Sequence, residues 1–174
     1  MVFMKKIYLV GFMGSGKTTV GRHLAKKLKT PFVDIDGEIE TREGLTIPQI
    51  FSLKGENYFR TLEMEVLKDV TRSLPTFVIA TGGGLGANQT AMEFMKQNGT
   101  VIWLDIDFET FKRRTAKDPN RPLLRKSEEA LKKLFEERKK IYSQAHLRIE
   151  SQKSVEQTVQ KILSFLQSVK EGYL

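Results

Sequence analysis

The chain has 174 residues, 40% of them hydrophobic and 29% charged, which suits one soluble domain with a well-buried core. It has no cysteine, which excludes disulfides, thiolate metal sites and a cysteine nucleophile and suits a reducing compartment. Its net charge of +8 leaves two classes of anionic partner open, nucleic acid or a small substrate carrying several negative groups.

The chain opens on a predicted strand, Ile7–Val10. A helix is predicted from Thr19 to Leu28, with Val20, Leu24, Ala25 and Leu28 on one face. Between them Gly11-Phe12-Met13-Gly14-Ser15-Gly16-Lys17-Thr18 fits the pattern G-x-x-x-x-G-K followed by Ser or Thr without mismatch. A strand, a glycine-rich turn and a helix is the setting this phosphate-binding loop needs. Glycines let backbone N–H groups curl round a phosphate, and the helix N-terminus adds the positive end of its dipole. Lys17 supplies charge for the β- and γ-phosphates, and the Thr18 hydroxyl is a ligand for Mg²⁺.

Further strands are predicted at Phe32–Asp34, Phe77–Ala80, Val101–Asp105 and His146–Ile149, alternating with helices. This reads as a mostly parallel sheet covered on both faces, with no linker or repeat to divide it. The second strand runs into Asp34-Ile35-Asp36. Carboxylates at i and i+2 of an extended segment point the same way, so one could hold Mg²⁺ through water and the other orient or deprotonate a hydroxyl. The competing reading is a cap for a helix starting near Gly37. A short helix over Thr46 to Lys54, with Ile47, Ile50, Phe51 and Leu53, stops at Gly55. The next helix has a core stripe of Phe59, Leu62, Val66, Leu67 and Val70. Arg60 beside that stripe either forks onto a substrate carboxylate or pairs with Glu56, Glu63 or Glu65.

After the third strand, Gly82-Gly83-Gly84 reads as a second ligand-facing loop, or else as a flexible connection. Asp107 caps a helix through Phe108, Phe111 and Arg114. Residues 115–125 break helical periodicity with two prolines and many charges, giving a basic loop able to close over phosphates through Arg121. Ser127 caps a helix to Tyr142, with Leu131, Leu134, Phe135, Ile141 and Tyr142 as its apolar face and Arg138 as a remaining anion-site candidate. Ser154 and Gln157 sit at capping-box positions of a last helix whose apolar face is Val155, Val159, Ile162, Leu163 and Leu166. His23, His146 and Trp103 are read as structural. No apolar run reaches membrane-span length and Met1 to Lys6 lacks a signal-peptide core, so a cytoplasmic protein without a membrane partner is expected. No RNA-binding signature with interleaved aromatics is present, and Lys26, Lys27 and Lys29 read as a solvated helix face. No nucleic-acid partner is expected.

Taken in order, GFMGSGKTT (Gly11 to Thr19), FVDID (Phe32 to Asp36), GENYFRTLE (Gly55 to Glu63), ATGGG (Ala80 to Gly84), RRT with RPLL (Arg113 to Thr115, Arg121 to Leu124) and LFEERKKIY (Leu134 to Tyr142) make the chain resemble the shikimate kinases over essentially its whole length. The resemblance implies an α/β P-loop kinase fold like that of nucleoside monophosphate kinases, a five-stranded parallel sheet flanked by helices on both faces, with a lid. It implies a single domain over 1–174, a substrate-binding region at about 34–63, a lid at about 115–126, and a monomer. The activity implied is transfer of the γ-phosphoryl of ATP to the 3-hydroxyl of shikimate, with Mg²⁺, in aromatic amino-acid biosynthesis.

By matching position, the resemblance assigns ATP to Gly14, Ser15, Gly16, Lys17, Thr18 and Thr19, with Arg114 near adenine and the lid residue Arg121 at the phosphates. Thr18 and Asp34 fall at the metal, the latter through water. Asp36 meets the reacting hydroxyl, so that Lys17, Asp36 and Arg121 form the catalytic set. Arg60 and Arg138 hold the substrate carboxylate with Gly82, Gly83 and Gly84, and Phe51, Phe59, Pro122 and Leu123 line the pocket. Ser151-Gln152-Lys153 departs from the family, many members of which place an adenine-contacting Arg there. The rival readings are a gluconate or nucleoside monophosphate kinase, and a non-catalytic nucleotide sensor or RNA-binding module.

Overall fold

Parallel pairing defines the architecture. A computed structural model describes residues 5–115, 127–150 and 154–170. The elements in chain order are β1 (Lys6–Val10), α1 (Lys17–Leu28), β2 (Phe32–Asp34), α2 (Ile35–Glu43), α3 (Ile47–Lys54), α4 (Glu56–Ser73), β3 (Phe77–Ala80), α5 (Gly83–Gly86), α6 (Gln89–Asn98), β4 (Thr100–Asp105), α7 (Phe108–Thr115), α8 (Glu128–Tyr142), β5 (Leu147–Glu150) and α9 (Val155–Lys170). The strands form one five-stranded sheet in the order β2-β3-β1-β4-β5. Every pairing is parallel, with Leu9 opposite Ala80 on one side and Ile102 on the other.

Strand periodicity divides the core. In β1, Ile7 and Leu9 face one layer, while Tyr8 and Val10 face the other. Ile7 and Leu9 pack with Val20 and Leu24 of α1 and with Val159 and Ile162 of α9. Tyr8 and Val10 join the larger layer, built from residues of α2 to α8. Because both faces are covered, β3 and β4 are buried along their whole length.

The order also locates a crevice. From β1 the chain moves outward to β2, returns to β3 and then crosses to β4 on the far side of β1. Ligands in open α/β sheets sit beyond the carboxyl ends of the strands, where the winding direction switches. Here that is the space above β1 and β3.

Two local expectations are corrected. Asp34 and Asp36 do not lie in one extended segment. Asp34 is the N-cap of α2 and its side chain accepts from Asp36 N, so the chain turns into helix at Ile35 rather than near Gly37. The triple glycine is not an open loop, because Gly83 and Gly84 begin the single helical turn α5. α6 was not anticipated, although Asn88 caps it through Ala91 N and Ala91, Met92 and Met95 are buried at helical spacing. On α3, Ile50 is buried while Leu53 points outward at 71% exposure. The expected caps Asp107, Ser127 and Ser154 all accept from the backbone of their helices, and Thr46, expected as the first residue of its helix, is instead that helix's N-cap. Gly55 (φ 87°) both ends α3 and opens α4, a conformation that L side chains rarely adopt.

Candidate active site

The crevice is a cleft of about 1000 Å³, lined by the phosphate loop, the end of β2, the turn after β3, and helices α3, α4 and α8. The loop owes its shape to glycine. Gly11, Gly14 and Gly16 have φ of 152°, 78° and 89°. A Cβ on Gly11 would also fall 2.5 Å from Leu104 O. Lys17 Nζ donates to Gly11 O (2.6 Å) and Phe12 O (3.1 Å), which holds the ammonium across the loop. Ser15 Oγ is buried and has no hydrogen-bond partner among the described residues. Arg114 reaches in from α7 to donate to Gly14 O at 2.8 Å.

Beside the loop, Thr18 Oγ1 donates to Asp34 Oδ2 at 3.3 Å. Asp36 stands in the first turn of α2, against the turn after β3. A Cβ at Gly82 would come 2.9 Å from Asp36 Oδ1, so glycine is what allows this approach.

Two arginines meet at the turn after β3. Arg60 Nη1 donates to Glu63 Oε1 (2.7 Å) and its Nε lies 3.9 Å from Glu56 Oε2. Its guanidinium lies over the rings of Phe59 (5.4 Å) and Phe51 (5.9 Å). Arg138 comes from α8 with its guanidinium over Phe12 (5.4 Å). Both meet the triple glycine: a Cβ on Gly84 would collide with Arg60 Nη1, and one on Gly83 would lie 3.0 Å from Arg138 Nη1.

The ion-pair reading of Arg60 is therefore correct for Glu63 and Glu56, and Arg60 still lines the cleft. Glu63 is 2% exposed. Burial pushes its carboxyl up to about 7, although the Arg60 charge opposes the shift. Burial likewise pulls Arg138 below the usual guanidinium range and pushes Tyr142 above the usual phenol range.

Of the residues expected from sequence, Gly14 to Thr19, Asp34, Asp36, Phe51, Phe59, Arg60, Gly82 to Gly84, Arg114 and Arg138 all line this one cleft. Arg121, Pro122, Leu123 and Ser151 to Lys153 lie outside the described residues. Two neighbours do more than their sequence pattern indicates. Glu63, an ion-pair partner by sequence, sits one turn after Phe59 on the buried stripe of α4, and an acid there is itself a signal. Tyr142 was read as apolar face, but its hydroxyl donates to Gly83 O at 2.5 Å.

A sequence profile described as shikimate kinase matches residues 13–167. The chain belongs to the shikimate kinase family. The shikimate kinase of Aquifex aeolicus is 52% identical over 162 residues, covering 93% of this chain and 96% of that one. The structure of a shikimate kinase from Acinetobacter baumannii in complex with shikimate superposes with a TM-score of 0.90 at 45% identity, covering 95% of this chain and 94% of the other. A gluconokinase from Sinorhizobium meliloti has a TM-score of 0.53 at 14% identity, covering 99% and 97%, and shares the fold alone. The shikimate kinase fold thus arises here from the parallel sheet and P-loop already described. Among the described residues, no helix is long and apolar enough to cross a membrane.

Proposed function

We propose that the cleft transfers the γ-phosphoryl group of ATP to the 3-hydroxyl of shikimate, giving shikimate 3-phosphate and ADP. The observation that carries this reading is that Asp36, Arg60 and Arg138 each lie against the Gly82–Gly84 turn, in the cleft that the Lys17 loop also lines. Phosphoryl transfer needs positioning and charge neutralisation more than covalent help from the protein. Arg60 and Arg138 pair with the acceptor's carboxylate and hold the ring so that its hydroxyl meets Asp36, which orients it and takes its proton. Binding energy at the remote carboxylate thereby fixes the reacting oxygen. The backbone from Gly82 to Gly84 lies against all three side chains, so it sets their spacing.

Lys17 and the loop N–H groups hold the phosphates, with Thr19 beside them and Arg114 at the outer end near adenine. Arg121, Pro122 and Leu123, outside the described residues, are assigned by the family resemblance to a lid over residues 115–126. Arg121 there adds charge at the transferring group, and lid closure excludes water.

The neighbouring Thr18 hydroxyl and Asp34 carboxylate fit Mg²⁺. No group of three His, Cys, Asp or Glu side chains among the described residues is arranged to hold a metal. A few oxygen donors beside a phosphate site suit a hard cation that keeps most of its waters. When bound there, Mg²⁺ supplies charge neutralisation to phosphate oxygens. We further infer a single domain with its acceptor region at about 34–63, working as a cytoplasmic monomer without nucleic-acid partners.

The test is ADP release from MgATP by the purified protein with shikimate, gluconate, nucleoside monophosphates or no acceptor. Strong stimulation by shikimate alone is expected. Stimulation by another acceptor would discard the pocket assignment, and none with any acceptor would return weight to a nucleotide sensor or an RNA-binding module.

A further inference from the structure

We propose that Tyr142 is a positioning residue for the carboxylate end of the acceptor site, acting through the Gly83 carbonyl and Arg138; the proposal rests on the kinase reading above. Tyr142 is fully buried at the end of α8. A phenylalanine would bury the same ring without desolvating a hydroxyl, so a phenol here has to be compensated by its partners. Its hydroxyl donates to Gly83 O at 2.5 Å. Arg138 stands one helical turn earlier, so one helix presents both groups to the same glycine.

Gly83 is where three parts of the site converge. A Cβ placed on it would lie 3.0 Å from Arg138 Nη1, 3.5 Å from the Tyr142 hydroxyl and 3.6 Å from Met13 N in the phosphate loop. The Tyr142 oxygen also lies close enough to Arg138 to favour its charged form against the burial that opposes it. Behind the phenol, the Trp103 ring lies 6.0 Å away between centroids, which fixes the ring against β4. The hydroxyl therefore ties the acceptor-facing turn and the Arg138 guanidinium to one point on the sheet. Without it, the Gly83 carbonyl and Arg138 can shift relative to the phosphate loop, and the carboxylate end loses its register.

The experiment is steady-state kinetics of Tyr142→Phe with both substrates varied, beside a thermal melt. Loss of one buried hydrogen bond next to the site should raise the shikimate KM roughly tenfold. The ATP KM and kcat should stay within roughly twofold of wild type, because the phosphate loop and Asp36 are untouched. A purely structural phenol would lower the melting temperature and leave this KM split absent, which overturns the proposal. If Tyr142→Phe does not fold, 4-aminophenylalanine at position 142, a weaker donor of nearly the same shape, stands in for it. It should give a smaller rise in the same KM, and an unchanged shikimate KM there is equally fatal. Combining Tyr142→Phe with Arg138→Lys tests the route. The tyrosine change should matter less once the guanidinium is gone, whereas full additivity removes Arg138 from the proposal. If wild-type protein shows no shikimate-stimulated ADP release, the kinase reading fails and the proposal falls with it. If it does, the variants judge the proposal alone.

Discussion

At Asp36, a carboxylate held against Gly82 faces the cleft from the first turn of α2. Asp36→Asn keeps the shape and removes the basic oxygen. It should lower kcat roughly 100-fold or more, as expected for loss of a positioned base, while the ATP KM changes little. Near wild-type turnover would remove that role. Glu63 gives a second test at this scale. Its folded-state pKa of about 7 lies above the ordinary 4.5. The folded protein therefore holds the proton more tightly than the unfolded chain between those values. Its stabilising contribution is full below about 4.5 and is lost as pH rises towards about 7. Glu63→Gln, neutral throughout, should gain on wild type across that window by up to roughly 3 kcal/mol. Melting curves of the two proteins from pH 4.5 to 7.5 check it, and a constant difference would show that Glu63 does not titrate there. The residues of the phosphate loop were legible in sequence because their pattern is contiguous. Glu63 and Tyr142 were not, because each has a polar tip on an otherwise apolar stripe and its partner comes from the fold.

The turn α5 separates two kinds of glycine on one element. Gly84 lies against the tip of the flexible Arg60 side chain, whereas a Cβ on Gly86 would meet Thr81 Oγ1 and Val10 Cβ at 3.0 Å, inside the core. Gly84→Ala should displace the guanidinium and raise the shikimate KM several-fold with little change in melting temperature, since only a side-chain tip has to move. Gly86→Ala should do the reverse, costing roughly 1–3 kcal/mol by overpacking and leaving the KM near wild type. Kinetics and melts of the two variants side by side decide it; a KM effect at Gly86 or a large melting loss at Gly84 contradicts this division. At this scale sequence reasoning did well where local chemistry governs. The caps Asp107, Ser127 and Ser154, the stop at Gly55, and β2 and β3 with their stated bounds are all decided by neighbouring residues. It failed at α2 and α5, where the strand-end residues turn helical. At Asp34 the reason is local: the residue could cap a helix or extend a strand, and its bond to Asp36 N decides for the cap.

For the whole molecule, the sheet imposes its own pH dependence. His146 Nδ1 accepts from Val101 N at 2.9 Å beside β4 and β5. Burial, and after it the Lys96 charge, hold its pKa below 6.5. A base with a depressed folded pKa stabilises the fold above its unfolded value, and that contribution is lost as pH falls below about 6.5. Replacing His146 with Asn should flatten this acid limb, opposite in sign to the Glu63 slope. Chemical denaturation of both proteins between pH 5 and 8 reads it, and parallel curves would show that His146 contributes nothing. The sequence by itself determined the P-loop, the α/β alternation, most caps and the set of residues that mark the family, because these depend on contiguous patterns and local backbone chemistry. Only the tertiary structure decided that Asp36, Arg60, the Gly82–Gly84 turn and Arg138 share one cleft with Lys17. The parallel crossovers in the order β2-β3-β1-β4-β5 bring the ends of β1, β2 and β3 to the same edge of the sheet. The contacts that hold that cleft in register, from Glu63 to Arg60 and from Tyr142 to Gly83, exist only once those distant segments are packed together.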